Sequence, residues 1–263
     1  MKKRLDVILM ERNMFPSREK ARTAIMTGRI LIHGNKETKA GTMIAEDTEI
    51  EVIGHDLPYV SRGGLKLEKA VKDFALDFND KIVLDIGAST GGFTDCSLQN
   101  GAKKVYAVDV GYGQLAWSLR SDSRVVVLEK VNARYLTKEQ VPEPADFIVM
   151  DASFISLKKL IPHLIPFLKE DGAFVSLIKP QFEAWKEKVG KKGVVRDPAV
   201  HKEVICDLLS FFREQRLSVE KLTFSPIKGP EGNREYLVLL RKNGAVFGDP
   251  DVDFLVSKAF EEI

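Results

Sequence analysis

Apolar positions along the chain follow one period near its start and another from Lys81 onward. Leu5, Ile8 and Leu9 recur at helical spacing, Pro16-Ser17 breaks and caps, and Ala21, Ala24 and Ile25 line one face of a second short helix. Gly28 ends that helix, RILIH reads as a strand, and Gly34-Asn35 is a turn signal. Pro58 and Gly63-Gly64 suggest a linker, after which Leu67, Ala70, Val71 and Phe74 form an i, i+3, i+4, i+7 stripe. Lys69 and Lys72 point away from that stripe, whereas Lys66 lies on its margin. From Lys81 the pattern becomes short apolar runs, KIVLDI, KVYAVD, VVVLEK, DFIVMD and AFVSLI, with EYLVLL near the end and helical patterns between most of them. This alternation predicts an α/β fold with a largely parallel sheet. The expected division is a small α+β module over 1–58, a linker over 59–64, the α/β domain over 65–245 and a terminal helix within 246–263.

The first of those runs leads into KIVLDIGASTGGFT, in which Asp85 precedes a turn carrying Gly87, Gly91 and Gly92. Strand, glycine turn and helix make a cofactor site, since glycines reach positive φ and the first N–H groups of the helix lack partners. Dinucleotides, phosphates and S-adenosylmethionine (SAM) all suit such a turn. Neither G-x-G-x-x-G nor G-x-x-x-x-G-K-[ST] is present. Gly87-x-x-x-Gly91-Gly92 is the spacing of a SAM turn, and VYAVD ends in Asp109 about 20 residues on, where a carboxylate can hold ribose hydroxyls.

Composition narrows the class. At 263 residues with 44% hydrophobic content, the chain can build a core and is not a disordered one. No apolar run approaches ~18 residues, and MKKRLDVILMER is too short in its apolar stretch for a signal peptide, so a cytoplasmic protein is expected. Cys96 and Cys206 fit no metal spacing and the four histidines lie far apart, so no metal is expected. Charge is unevenly spread: residues 1–39 carry ten Lys or Arg against four acids, and residues 40–58 carry five acids and no Lys or Arg. A small module with one basic face is implied, with nucleic acid as its partner. A second basic stretch, where Lys186, Lys188, Lys191, Lys192, Arg196 and Lys202 outnumber Glu187, Asp197 and Glu203, reads with Gly190 and Gly193 as a mobile loop able to grip an RNA backbone.

Ligands on parallel sheets bind at the carboxyl ends of the strands. Asp151 terminates FIVM and Lys179 terminates FVSLI, and Pro180 biases Lys179 toward extended backbone. Glu235 begins EYLVLL, and if that strand is antiparallel its amino end lies at the same edge. Lys66, Asp151, Lys179 and Glu235 would then converge beside the glycine turn.

Two resemblances follow from these residues. RLD-x-x-L followed by SR-x-x-A-x-x-x-I-x-x-G-R-I-x-I-x-G resembles the S-four-type RNA-binding domain, which implies RNA contacts from Arg4, Arg18, Lys20 and Arg22, while Lys188, Lys191 and Lys192 are expected contacts from the later basic stretch. Lys66 in SRGGLKL, Asp151 in MDASF, Lys179 in IKPQFE and Glu235 in GNREY match the Lys-Asp-Lys-Glu tetrad of FtsJ-like ribose 2′-O-methyltransferases. With GASTGGFT, KPQFE and KGVVRD, the chain looks like the TlyA family, often labelled hemolysin A. The resemblance implies a Rossmann-like, mostly parallel seven-stranded sheet with its last strand antiparallel, SAM as cofactor, and methylation of cytidine 2′-hydroxyls in ribosomal RNA, with RNA or ribosomal subunits as partners and no obligate protein partner. It also implies that Gly87, Ala88, Ser89, Gly91, Gly92 and Phe93 surround the methionine end, Asp109 the ribose and Asn132 the adenine edge, with Asp85 among the cofactor-binding residues. FtsJ itself has an aspartate where Asn132 stands. Competing readings are a membrane-lytic hemolysin, disfavoured by the lack of long apolar or strongly amphipathic segments; a noncatalytic RNA-binding assembly factor, disfavoured by the intact tetrad; and a dinucleotide oxidoreductase, disfavoured by the missing fingerprint.

Overall fold

A computed structural model describes residues 2–53, 57–242, 244 and 250–263. The chain divides into two compact units, Met1–Arg62 and Gly63–Ile263.

In the first unit, helices Leu5–Glu11 and Arg18–Met26 pack through Leu5, Ile8, Leu9, Ala21, Ala24 and Ile25. Ser17 caps the second helix, its hydroxyl accepting from the Lys20 N–H at 3.2 Å. Ile30–Ile32 pairs antiparallel with Asn35–Glu37 and Ile50–Val52, and Lys2–Arg4 pairs with Met43–Ala45. One acidic side chain organises the basic ones. Asp6 is fully buried and accepts from Arg4 at 2.9 and 3.0 Å and from Arg18 at 2.9 Å. Burial favours its neutral form, but the two guanidiniums outweigh that and hold its carboxyl below the usual range. Asp6→Ala should therefore destabilise this unit by on the order of 1–3 kcal/mol. Urea unfolding of the full chain followed by circular dichroism checks this, and an unshifted transition would refute it.

The second unit is built on seven strands: β1 (Ile82–Ile86), β2 (Lys104–Asp109), β3 (Val125–Glu129), β4 (Ala145–Met150), β5 (Leu168–Ile178), β6 (Leu217–Phe224) and β7 (Tyr236–Lys242). Their order is β6-β7-β5-β4-β1-β2-β3, with β7 antiparallel to both neighbours. The inner strands are mainly apolar because both faces are covered. Strand β6 was absent from the apolar runs of the sequence. It is an edge strand paired on one side, half-exposed along most of its length, and it carries Glu220 and Lys221.

Register puts the chemistry on one edge. Ile86 pairs with Met150, Ser176 with Met150, and Ile178 with Tyr236. Gly87, Asp151, Lys179 and Glu235 each stand one residue beyond those pairs, so the antiparallel turn of β7 brings Glu235 beside residues from parallel strands. Helix α1 (Gly63–Phe74) supplies Lys66 and starts at the glycine pair assigned above to a linker. Helix α2 (Gly92–Gln99) follows the glycine turn, and helix α3 (Pro198–Glu214) is capped by Asp197, whose carboxylate accepts from the Ala199 N–H at 2.9 Å. The terminal helix α4 (Val252–Glu262) packs against α3 through Val252, Val256 and Ala259, and Arg234 lies 4.0 Å from the Phe260 ring centroid while donating to the Ala259 carbonyl. The expected boundary at residues 245–246 lies outside the described residues.

Candidate active site

Four charged side chains form a continuous ladder. Lys66 Nζ lies 2.6 Å from Glu235 Oε2 and 3.3 Å from Asp151 Oδ2, and Lys179 Nζ lies 2.6 Å from Asp151 Oδ1. Lys179 also donates to Ser153 Oγ at 2.9 Å. Lys66, Lys179 and Glu235 are all buried, while Asp151 keeps a fifth of its side chain exposed. Burial alone would push the Lys66 ammonium down, but Asp151 and Glu235 hold it above the usual lysine value. Burial likewise raises the Asp151 carboxyl, and the two lysines overrule it, keeping Asp151 charged. Two carboxylates alternate with two lysine amines at a sheet edge, where a buried carboxylate or ammonium without a partner would be costly.

Beside the ladder opens a cavity of about 400 Å³, a size suited to a small cofactor. Of the predicted cofactor residues, Gly87, Ser89, Asp109 and Asn132 line it together with Asp151. Val108, Val110, Val131, Ala133 and Leu160 supply apolar walls. The Asp109 carboxylate accepts from the Ser89 and Gly111 N–H groups, both at 2.7 Å, and is thereby fixed at the cavity wall. Asn132 Oδ1 accepts from the Arg134 N–H at 3.1 Å, which leaves the amide nitrogen to serve the cavity.

Asp85, Ala88, Gly91, Gly92 and Phe93 do not line this cavity. Ala88, Gly92 and Phe93 are buried in the turn and the start of α2. Gly91 has φ +100°, and a Cβ there would stand 2.2 Å from Leu119 Cδ1. Gly87, at φ +82°, would bring a Cβ within 3.0–3.2 Å of the Asp151 and Ala152 backbone. These two glycines therefore permit the protein's own close packing beneath the ligand site.

Asp85 is fully buried under the turn. Its Oδ2 accepts from Thr94 Oγ1 at 2.6 Å, whereas Oδ1 has no hydrogen-bond partner among the described residues. Burial pushes this carboxyl up to about 7, opposed by Thr94 and reinforced by Asp151. The folded state thus keeps a proton that the unfolded chain releases above pH ~4, and the associated stability is full below pH ~4 and lost as pH rises through ~7. Asp85→Asn should abolish this slope, changing the wild-type-minus-variant difference by about 4 kcal/mol between pH 4 and 8. Urea titrations of both proteins across that range measure it; parallel profiles would count against a neutral Asp85.

The predicted RNA contacts are divided by the structure. Arg4, Arg18, Lys20 and Arg22 are exposed on the first unit, with Arg4 and Arg18 held by Asp6. In the second unit Lys191 and Lys192 are exposed, but Lys188 is ion-paired with Glu203. The stretch expected to be a mobile loop is instead anchored. Val194 and Val195 are buried, the Val195 N–H donates to Asn233 Oδ1 at 3.0 Å, and Asn233 Nδ2 donates to the Gly193 carbonyl at 2.9 Å. His201, buried on α3, adds contacts to the Val195 carbonyl at 3.0 Å and the Tyr236 hydroxyl at 2.9 Å. Apolar Val194-Val195 carried that anchoring signal within the basic stretch.

Sequence reading also passed over Ser153, Phe154 and Gln114. Ser153 and Phe154 follow Asp151 directly in MDASF. Phe154 has φ +63°, is 90% exposed, and lies 5.2 Å from the Phe182 ring. Gln114 comes from the loop after β2, where no periodicity marks it.

Residues 59–242 match the family described as FtsJ-like methyltransferase, and residues 3–50 match the S4 domain. YqxC of Bacillus subtilis, described as an rRNA methyltransferase, is 51% identical over 92% of this chain and 87% of its own length. The 16S/23S rRNA (cytidine-2′-O)-methyltransferase TlyA of Mycobacterium tuberculosis is 42% identical over 90% of this chain and 89% of its own. A solved structure from Streptococcus thermophilus, described as a hemolysin, superposes with a TM-score of 0.79 at 43% identity, covering 99% of this chain and 96% of the other. With an S4 domain ahead of its seven-stranded α/β unit and a match across most of its length, the chain belongs to the FtsJ-like methyltransferase family.

Proposed function

We propose that this protein transfers a methyl group from SAM to the ribose 2′-hydroxyl of cytidine in ribosomal RNA. The observation that carries the reading is the Glu235–Lys66–Asp151–Lys179 ladder standing at the wall of the cofactor-sized cavity. The cavity suits SAM chemically: its apolar walls can take an adenine ring, Asp109 can accept from ribose hydroxyls, and the Asn132 amide can donate to the adenine edge. When bound there, SAM supplies an electrophilic methyl group on a sulfonium centre.

The chain's own residues then have distinct tasks. Lys179 in its neutral form accepts the 2′-hydroxyl proton as the oxygen attacks, with Ser153 and Asp151 orienting its amine. Lys66 remains the cation across Asp151 and, held by Glu235, contacts the target nucleotide. Alignment of hydroxyl and methyl group contributes as well, on the order of 7–11 kcal/mol in well-oriented reactions. The S4 unit binds folded RNA through Arg4, Arg18, Lys20 and Arg22, where phosphate and shape rather than base edges are accessible.

The hemolysin label of relatives prompts a lytic alternative, yet no helix among the described residues is long and apolar enough to cross a membrane. Incubating the protein with methyl-labelled SAM and purified ribosomal subunits tests the proposal. Label should enter RNA, and subunits that stay unlabelled beside SAM-saturated protein would overturn it.

A further inference from the structure

A second cavity of about 450 Å³ lies in the α/β unit, outside the ladder and the cofactor wall. Trp185 stands on its rim with 72% of its surface exposed. Glu183 forms a fixed acceptor, bound by Ser156 Oγ at 2.6 Å and the Leu157 N–H at 2.8 Å. Two ion pairs complete the wall, Lys158 with Asp207 at 2.6 Å and Lys188 with Glu203. An open indole face is thus ringed by both ammonium donors and carboxylate acceptors.

That combination selects a flat ring whose edge carries acceptors and donors. A phosphate is disfavoured because three carboxylates face two ammoniums, and an isolated cation is disfavoured by the lysines. A nucleobase satisfies both sets, since its carbonyl and ring-nitrogen acceptors meet lysines while its amino and imino N–H groups meet carboxylates. Aromatic stacking is also how proteins hold unpaired bases.

The position fits the same substrate strand. Ser153, Phe154 and Ile155 line the first cavity and Ser156 lines the second. Lys179 immediately precedes the turn Pro180–Glu183, which presents Phe182 to Phe154 and Glu183 to the second cavity. We infer that this second cavity holds the base of an unpaired nucleotide flanking the methylated one, stacked on Trp185. The inference rests on the methyl-transfer reading for the identity of the strand.

The chain has two tryptophans, Trp117 and Trp185, so Trp117→Phe leaves Trp185 as the sole indole emitter. Titrating that full-length variant with a short single-stranded oligoribonucleotide of mixed sequence should quench its fluorescence saturably. Trp185→Ala should raise KM for ribosomal subunits roughly 5- to 100-fold, the loss of one base–aromatic stack, with kcat and SAM affinity unchanged. Trp185→Phe should recover most of that loss. No quenching, or an unchanged KM in Trp185→Ala, would overturn the inference, as would quenching by an arginine-rich peptide but not by RNA. Quenching without methyl transfer to subunits would instead sink the methyl-transfer reading alone, and transfer without quenching would sink the base site alone.

Discussion

Replacing Lys179 with alanine is expected to lower kcat for RNA methylation by at least ~10²-fold, the contribution of one positioned base, while leaving the dissociation constant for SAM within a few fold. The amine of Lys179 is buried against Asp151 and Ser153 at the ladder's end, and the cavity wall is formed by other residues. Lys179→Arg separates two roles. Arginine keeps the positive charge but does not release its proton in this range, so a base is lost and a point charge is kept. The arginine variant should be as impaired as the alanine one. Substantial turnover by Lys179→Arg would assign Lys179 to electrostatic stabilisation instead. Single-turnover rates at saturating SAM give the comparison, because product release does not then mask the chemical step.

The second large effect concerns stability as well as turnover. Glu235 is 1% exposed and its carboxylate faces Lys66 at 2.6 Å. Lys66→Ala leaves that carboxylate buried without its cation, which costs roughly 3–5 kcal/mol when one partner of a buried pair is removed. Adding Glu235→Gln removes the stranded charge, so Lys66→Ala/Glu235→Gln should be more stable than Lys66→Ala alone. Methyl transfer should stay lost in both, since the cation beside Asp151 is gone. Urea unfolding with a parallel activity assay checks the pattern; a double variant no more stable than the single one would show that the pair is not energetically coupled.

Much of this site is legible in the chain because parallel strands announce their carboxyl ends. An apolar run that stops at Asp109, Asp151 or Lys179 marks the edge where ligands bind, and the register places those residues together with Gly87. Lys66 is visible only as a lysine out of step with its helix stripe. Its partner Glu235 is 169 residues away, and their meeting depends on β7 running antiparallel between β5 and β6. Other features are set by packing across the fold and leave little local trace. Gly91 is marked in the chain only as a turn glycine, and that Leu119 closes the space a side chain would need is seen in the fold. The burial of Asp85 beneath the turn with Thr94 is likewise seen only in the fold. Strand β6 is hidden by its charges, which an edge strand tolerates because one side faces solvent. The basic stretch around Lys188 reads as a free loop until Asn233 and His201 are seen to tie down Gly193 and Val195.

The most direct test locates the transferred methyl group. Ribosomal subunits lacking the modification would be incubated with the protein and deuteromethyl-labelled SAM, and the RNA digested to nucleosides for mass spectrometry. The expected result is label on the sugar of cytidine, recovered as 2′-O-methylcytidine, and its disappearance with Lys179→Ala. Label on a base, or RNA left unlabelled by a protein shown to bind SAM, would contradict the assignment of the Lys66–Asp151–Lys179–Glu235 ladder to ribose methylation.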